Sequence, residues 1–125
     1  MKILRRKRAF TLVEIMIVVL IIGILLAIAV PNFIKARDTS RTNACVNNLR
    51  EVADAKEQWA MDTKATDSAT PTSKQLTGSG DASKGYIKSM PTCPVLSSQY
   101  NINNMMNNPT CPNVGQYPGM VLPGN

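Results

Sequence analysis

The chain has no histidine, which removes the commonest general base and the commonest transition-metal ligand from any functional reading. Its three cysteines therefore have no partner base for nucleophilic catalysis. No GxSxG, HExxH, P-loop or glycine-rich nucleotide fingerprint occurs. Acidic residues stop at Asp81, and Asp62, Asp67 and Asp81 lack the alternating spacing of a calcium loop. Beyond Arg8 there is no Lys/Arg cluster, and after Ala65 only Lys74, Lys84 and Lys88 are cationic. A basic or aromatic nucleic-acid surface is thus not expected. The composition reads as a non-enzyme with no cofactor and no metal.

What is present is concentrated at the start. The net charge of +6 is misleading, because five of the 14 cations (Lys2, Arg5, Arg6, Lys7 and Arg8) precede Phe10. The remaining nine face eight acids, so the rest of the chain is close to neutral. Cations beside an apolar span stay cytoplasmic, which predicts a single membrane pass with the N-terminus inside. From Ile15 to Val30 there are sixteen residues without a charge or a hydrogen-bonding side chain. Extended to Ile34, the run reaches about the 20 residues that a spanning helix needs. Ala27-Ile28-Ala29 resembles a signal-peptidase site, but helical sequence continues unbroken beyond it. Glu14 stands just inside the apolar run. A carboxylate there costs about 2.5–3.5 kcal/mol near the bilayer centre and marks a functional position by default; the plainer alternative is an interfacial residue of a simple anchor.

The expected organisation is a basic leader (1–9), a transmembrane helix (10–34), an amphipathic helix (35–63) and a small globular region (64–125). Helical spacing puts Cys45, Leu49, Val52, Ala53, Lys56 and Ala60 on one stripe with Trp59 beside it, a face covered by the chain's own domain. Such a helix would be about 80 Å long, so its first half should project. Gly23 and Pro31 are expected to interrupt it. A short helix is expected near Ser73–Leu76. Tyr86-Ile87-Lys88, Tyr100-Asn101-Ile102 and Met120-Val121-Leu122 are the expected strands, so the fold class is α+β: a long helix packed on a small antiparallel β/loop domain. Trp59 and Met61 are the expected anchors between them. Thr92-Cys93-Pro94 and Thr110-Cys111-Pro112 repeat one tripeptide. A Cys93–Cys111 disulfide would close a loop of about 19 residues and stabilise by about 3 kcal/mol in the chain-entropy model. Zinc is the competing reading, disfavoured without a CxxC or a histidine. Cys45 reads as a small buried apolar residue, with a share in the bridge left open.

The segment Arg5-Arg6-Lys7-Arg8-Ala9-Phe10-Thr11-Leu12-Val13-Glu14 resembles the processing site of the type IV pilin and type II secretion pseudopilin superfamily. Thr42–Arg50 and Ala55–Ala60, with the later Cys-Pro segments, look like the small pseudopilin-like members. The resemblance implies a pilin-like fold and a structural filament subunit, not an enzyme. It implies that a prepilin peptidase cuts between Ala9 and Phe10 and methylates the new Phe10 amine, although the family overwhelmingly has Gly where this chain has Ala9. It implies polymerisation through the helix, with Glu14 meeting the Phe10 amine of a neighbour, and local melting of the helix around Gly23 and Pro31 in the filament. The implied partners are copies of the chain, an inner-membrane assembly platform and related minor pseudopilins. The implied location is the bacterial inner membrane, then a periplasmic or surface filament. A minor tip pilin that binds DNA or a secreted protein, and a non-polymerising membrane anchor, are the alternatives.

Overall fold

The computed structural model describes residues 9–79, 85–115 and 118–123; the cationic leader through Arg8, Asp81 and Lys84 lie outside them. Two helices form, α1 over Leu12–Thr63 and α2 over Ser73–Thr77. Both start with the same device. Thr11 and Glu14 exchange side chain-to-backbone hydrogen bonds at the head of α1, and Thr72 and Gln75 do so at the head of α2. Each pair satisfies two of the N–H groups that a helix start leaves open. At its other end α1 closes with Lys64 in the left-handed region (φ 50°) and the Ala65 N–H on the Ala60 carbonyl at 3.1 Å, the 6→1 bond of a Schellman stop.

α1 runs without a break through Gly23 and Pro31, which corrects the expected interruption. One proline deletes a single ladder bond, and the remaining turns of a 52-residue helix hold their register. The chain divides after Arg37 into two compact units. Among the described residues of the first, the chain is helical from Leu12 and no side chain is buried; its most apolar 18-residue stretch has a mean hydropathy of 3.2 and is long enough to cross a membrane.

The second unit, Asp38–Asn125, is built on the stripe Cys45, Leu49, Val52, Ala55 and Lys56. Steps of three and four residues put these on one helix face. Cys45 and Leu49 pack with Cys93, Tyr100, Cys111, Met120 and Leu122. Val52 and Ala55 pack with Leu76 and Ile87, flanked by Trp59 and Ile102. Trp59 is an anchor, as expected; Met61 is 76% exposed and is not, because it lies two residues past Trp59 and so turns to another side.

The expected strands do not form among the described residues. Tyr86–Lys88 is a bend, and Met120–Leu122 pairs with nothing in the sheet sense. Pairing is limited to the isolated bridges Thr92↔Gln99 and Asn101↔Thr110. Pro91, Pro94, Pro109 and Pro112 flank those bridges and supply no N–H, so no ladder can lengthen. Loop bonds take its place: Tyr86 and Ile87 both donate to the Leu76 carbonyl (2.8 and 3.0 Å), and Met105 donates to Ala69 (3.0 Å).

Gly85 enters this arrangement tightly. A Cβ there would lie 2.7 Å from the Thr77 carbonyl oxygen, with backbone as the obstacle. Gly85→Ala is therefore expected to destabilise the second unit by about 1–3 kcal/mol, read as a lower midpoint in denaturant melts of the detergent-extracted chain. An unchanged midpoint would mean that the backbone yields there at no cost.

Candidate functional site

Ala9 and Phe10 are exposed just ahead of α1, Phe10 at 82%. Glu14 stands four residues on. Its Oε2 accepts from the Thr11 N–H at 3.0 Å and from the Thr11 hydroxyl at 3.1 Å, while the Glu14 N–H donates to Thr11 Oγ1 at 3.3 Å. In the isolated chain the carboxylate therefore caps its own helix. This role was missed from sequence, although Thr11-Leu12-Val13-Glu14 is the capping-box pattern and could have revealed it. Beyond Glu14 the side chains from Ile15 to Ile34 face outward with no cover from this chain, Leu20 at 65% and Phe33 at 70%. The site is a helix start bearing one carboxylate, continued by an uncovered apolar rod.

The second assembly of chemical groups lies in the other unit. Cys93 and Cys111, the pair expected to bridge, stand 3.6 Å apart as thiols, with the Cys111 Sγ–H donating to Cys93 Sγ. Cys45 joins them from α1, and the three sulfurs lie within 4.8 Å of one another. All three are at most 3% exposed. Burial pushes the Cys93 thiol up, but the Val95 N–H, the Asn113 side chain, the Leu96 N–H and the Cys111 thiol outweigh it and hold it below its ordinary range. Burial pushes Cys111 up to about 12, opposed by the Asn113 N–H and reinforced by Cys45 and Cys93. Sequence left a share of Cys45 in the bridge open, and its distance along the chain carries no spacing signal that would decide it.

Lys56 is the other residue whose role sequence left open. It is 2% exposed, and its Nζ donates to the carbonyls of Ile102 (2.8 Å), Asn104 (2.9 Å) and Asn107 (2.8 Å). Three donors meet three acceptors, which satisfies the ammonium completely. Burial nevertheless holds it below the ordinary lysine range. The signal was a lysine on an otherwise apolar stripe.

Comparison with known proteins agrees with the first site. Residues 4–30 match the family model described as the prokaryotic N-terminal methylation motif. The chain is similar to the type IV major pilin protein PilA of Myxococcus xanthus, 50% identical over 54 residues, which is 43% of this chain but only 24% of that protein. It is similar to the type II secretion system core protein G of Pseudomonas aeruginosa, 31% identical over 98 residues, covering 72% of this chain and 69% of that one. A third relative is the ComG operon protein 3 homolog of Bacillus licheniformis, 33% identical over 88 residues, covering 70% and 82%. No solved structure matches.

Proposed function

The chain belongs to the type IV pilin and type II secretion pseudopilin superfamily of structural filament subunits, and from that premise we propose that it is the repeating subunit of a secretion-type pseudopilus. It is made as a single-pass inner-membrane protein with its N-terminus cytoplasmic. A prepilin peptidase cuts between Ala9 and Phe10 and methylates the Phe10 amine. Subunits then assemble at an inner-membrane platform, with related minor pseudopilins, into a helical filament that extends into the periplasm.

The observation that carries this reading is the apolar half of α1, on which not one residue of the most apolar stretch is buried by the chain itself. Lipid covers such a surface at no loss, and helices in lipid gain nothing hydrophobic by meeting. Leaving the bilayer uncovered would cost on the order of tens of kcal/mol at about 25 cal/mol per Å². Neighbouring copies must therefore replace lipid side by side as the subunit rises. A heterologous, non-closing contact between identical rods does this and produces a fibre.

Cleavage supplies the register. It removes the cations that hold the N-terminus at the cytoplasmic face and creates an amine at Phe10. Both Thr11 donors fall on Glu14 Oε2, so Oε1 is the oxygen we assign to the incoming amine of a neighbour. The helix cap and the contact between subunits can then coexist on one carboxylate. Local melting around Gly23 and Pro31 belongs to the assembled state under this reading.

Intact-mass measurement and N-terminal sequencing of the membrane-extracted protein test the pathway. The expected product starts at methylated Phe10; a chain still starting at Met1 would leave only a membrane anchor. Ala9→Gly is expected to lower the precursor-to-mature ratio in pulse labelling, because the peptidase meets a residue without a Cβ. An unchanged ratio would mean that Ala9 is processed as readily as glycine.

A further inference from the structure

Neither filament assembly nor a Cys93–Cys111 disulfide uses all three thiols of the cluster. A disulfide needs sulfurs about 2.05 Å apart and engages two of them, which would leave the third thiol buried against the bridge. The arrangement suits a shared ion better. Metal–thiolate bonds of about 2.3 Å put the sulfurs of a three-coordinate site about 4 Å apart. The observed separations are 3.6 Å for Cys93–Cys111 and no more than 4.8 Å for any pair.

The surroundings point the same way. Cys93 Sγ accepts from Asn113 Nδ2 at 3.1 Å. Donors of this kind orient and stabilise metal-bound thiolates, whereas uncharged sulfur is a weak acceptor.

We propose that Cys45, Cys93 and Cys111 form a buried three-sulfur site for one thiophilic d10 cation of the Cu(I) class, tying the C-terminal segment to α1. Three soft sulfurs select such an ion. Closed structural zinc sites take four protein ligands, and among the described residues no further Cys, Asp or Glu joins the cluster. Binding is ligand exchange: each coordinating thiol releases its proton to solvent, and no electron is transferred. The ion would also connect what a Cys93–Cys111 disulfide leaves apart, since that bridge closes the C-terminal loop only on itself.

The test uses the full chain, extracted in detergent, reduced, stripped of metal and titrated anaerobically with Cu(I) against a chromogenic Cu(I) chelator. One Cu(I) per chain is expected to be retained, with all three thiols protected from alkylation. Cys45→Ser should weaken retention beyond the about 10–100-fold typical of losing only a hydrogen-bond partner of a ligand, while Cys93 and Cys111 can still be oxidised to a disulfide, which reports an intact C-terminal fold. Wild-type chain that surrenders Cu(I) and all three thiols to competition overturns the site. Equal retention by Cys45→Ser overturns the third ligand, and stoichiometric Zn(II) without Cu(I) overturns the ion class. A Cys93–Cys111 disulfide in chain purified from cells without reductant, with Cys45 alkylatable and no metal, overturns the site in its native setting.

Discussion

Replacing Glu14 with alanine is expected to bring filament yield below detection while the chain still reaches the membrane and is still processed. Two losses accompany the substitution, and their sizes differ. The capping bonds to Thr11 are worth about 1 kcal/mol of helix stability, too little to unfold a 52-residue helix. The unpaired Phe10 amine of each neighbour would be left in an apolar filament core, which typically costs about 3–5 kcal/mol. That penalty recurs at every subunit, so it acts on assembly rather than on folding. Thr11→Ala separates the two effects: it removes the cap and keeps the carboxylate, and should reduce sheared-filament yield only modestly. Glu14→Gln keeps a capping acceptor and loses the charge, and should behave like alanine. Wild-type filament yield from Glu14→Ala, or full loss from Thr11→Ala, would sink the pairing mechanism.

Lys56→Met is expected to destabilise the second unit by about 3 kcal/mol or more. Methionine replaces the aliphatic stem, so little cavity forms, but the carbonyls of Ile102, Asn104 and Asn107 lose the ammonium that gathers them. Hydrogen bonds from a charged donor contribute about 1.5–3 kcal/mol, and a buried carbonyl left alone costs about 1–3 kcal/mol. The damage should spread, because Met105 and Met106 in that loop donate to Ala69 and Asp67. Lys56→Arg should not restore stability, since a planar fork cannot point three donors at carbonyls arranged around a single nitrogen. Chemical denaturation of the extracted chain measures this; a change under about 1 kcal/mol would mean that water replaces the ammonium.

The sequence reading and the structure agree where the signal is local. The apolar run, the amphipathic stripe through Cys45, Leu49 and Val52, and the short helix Ser73–Thr77 all follow from side-chain periodicity over a few turns. The failures lie where context beyond the local sequence decides. Tyr86–Lys88, Tyr100–Ile102 and Met120–Leu122 have strand composition, but a strand needs a partner with free N–H groups, and the neighbouring prolines withhold them. Met61 is large and apolar, but its angle on the helix turns it away from the core. Gly23 and Pro31 are breakers by propensity, yet a long helix carries them.

By itself the sequence determined the membrane-compatible helix, the cationic run ahead of it and the carboxylate at Glu14, because charge and hydropathy act along the chain without reference to what folds against it. Only the tertiary structure decided that Cys45 completes a three-sulfur cluster and that the Lys56 ammonium organises the loop from Ile102 to Asn107. Both depend on residues more than forty positions away. No local spacing encodes such meetings; they arise when the C-terminal segment, poor in apolar residues and unable to form a sheet, satisfies its backbone and buries its sulfurs against one face of α1.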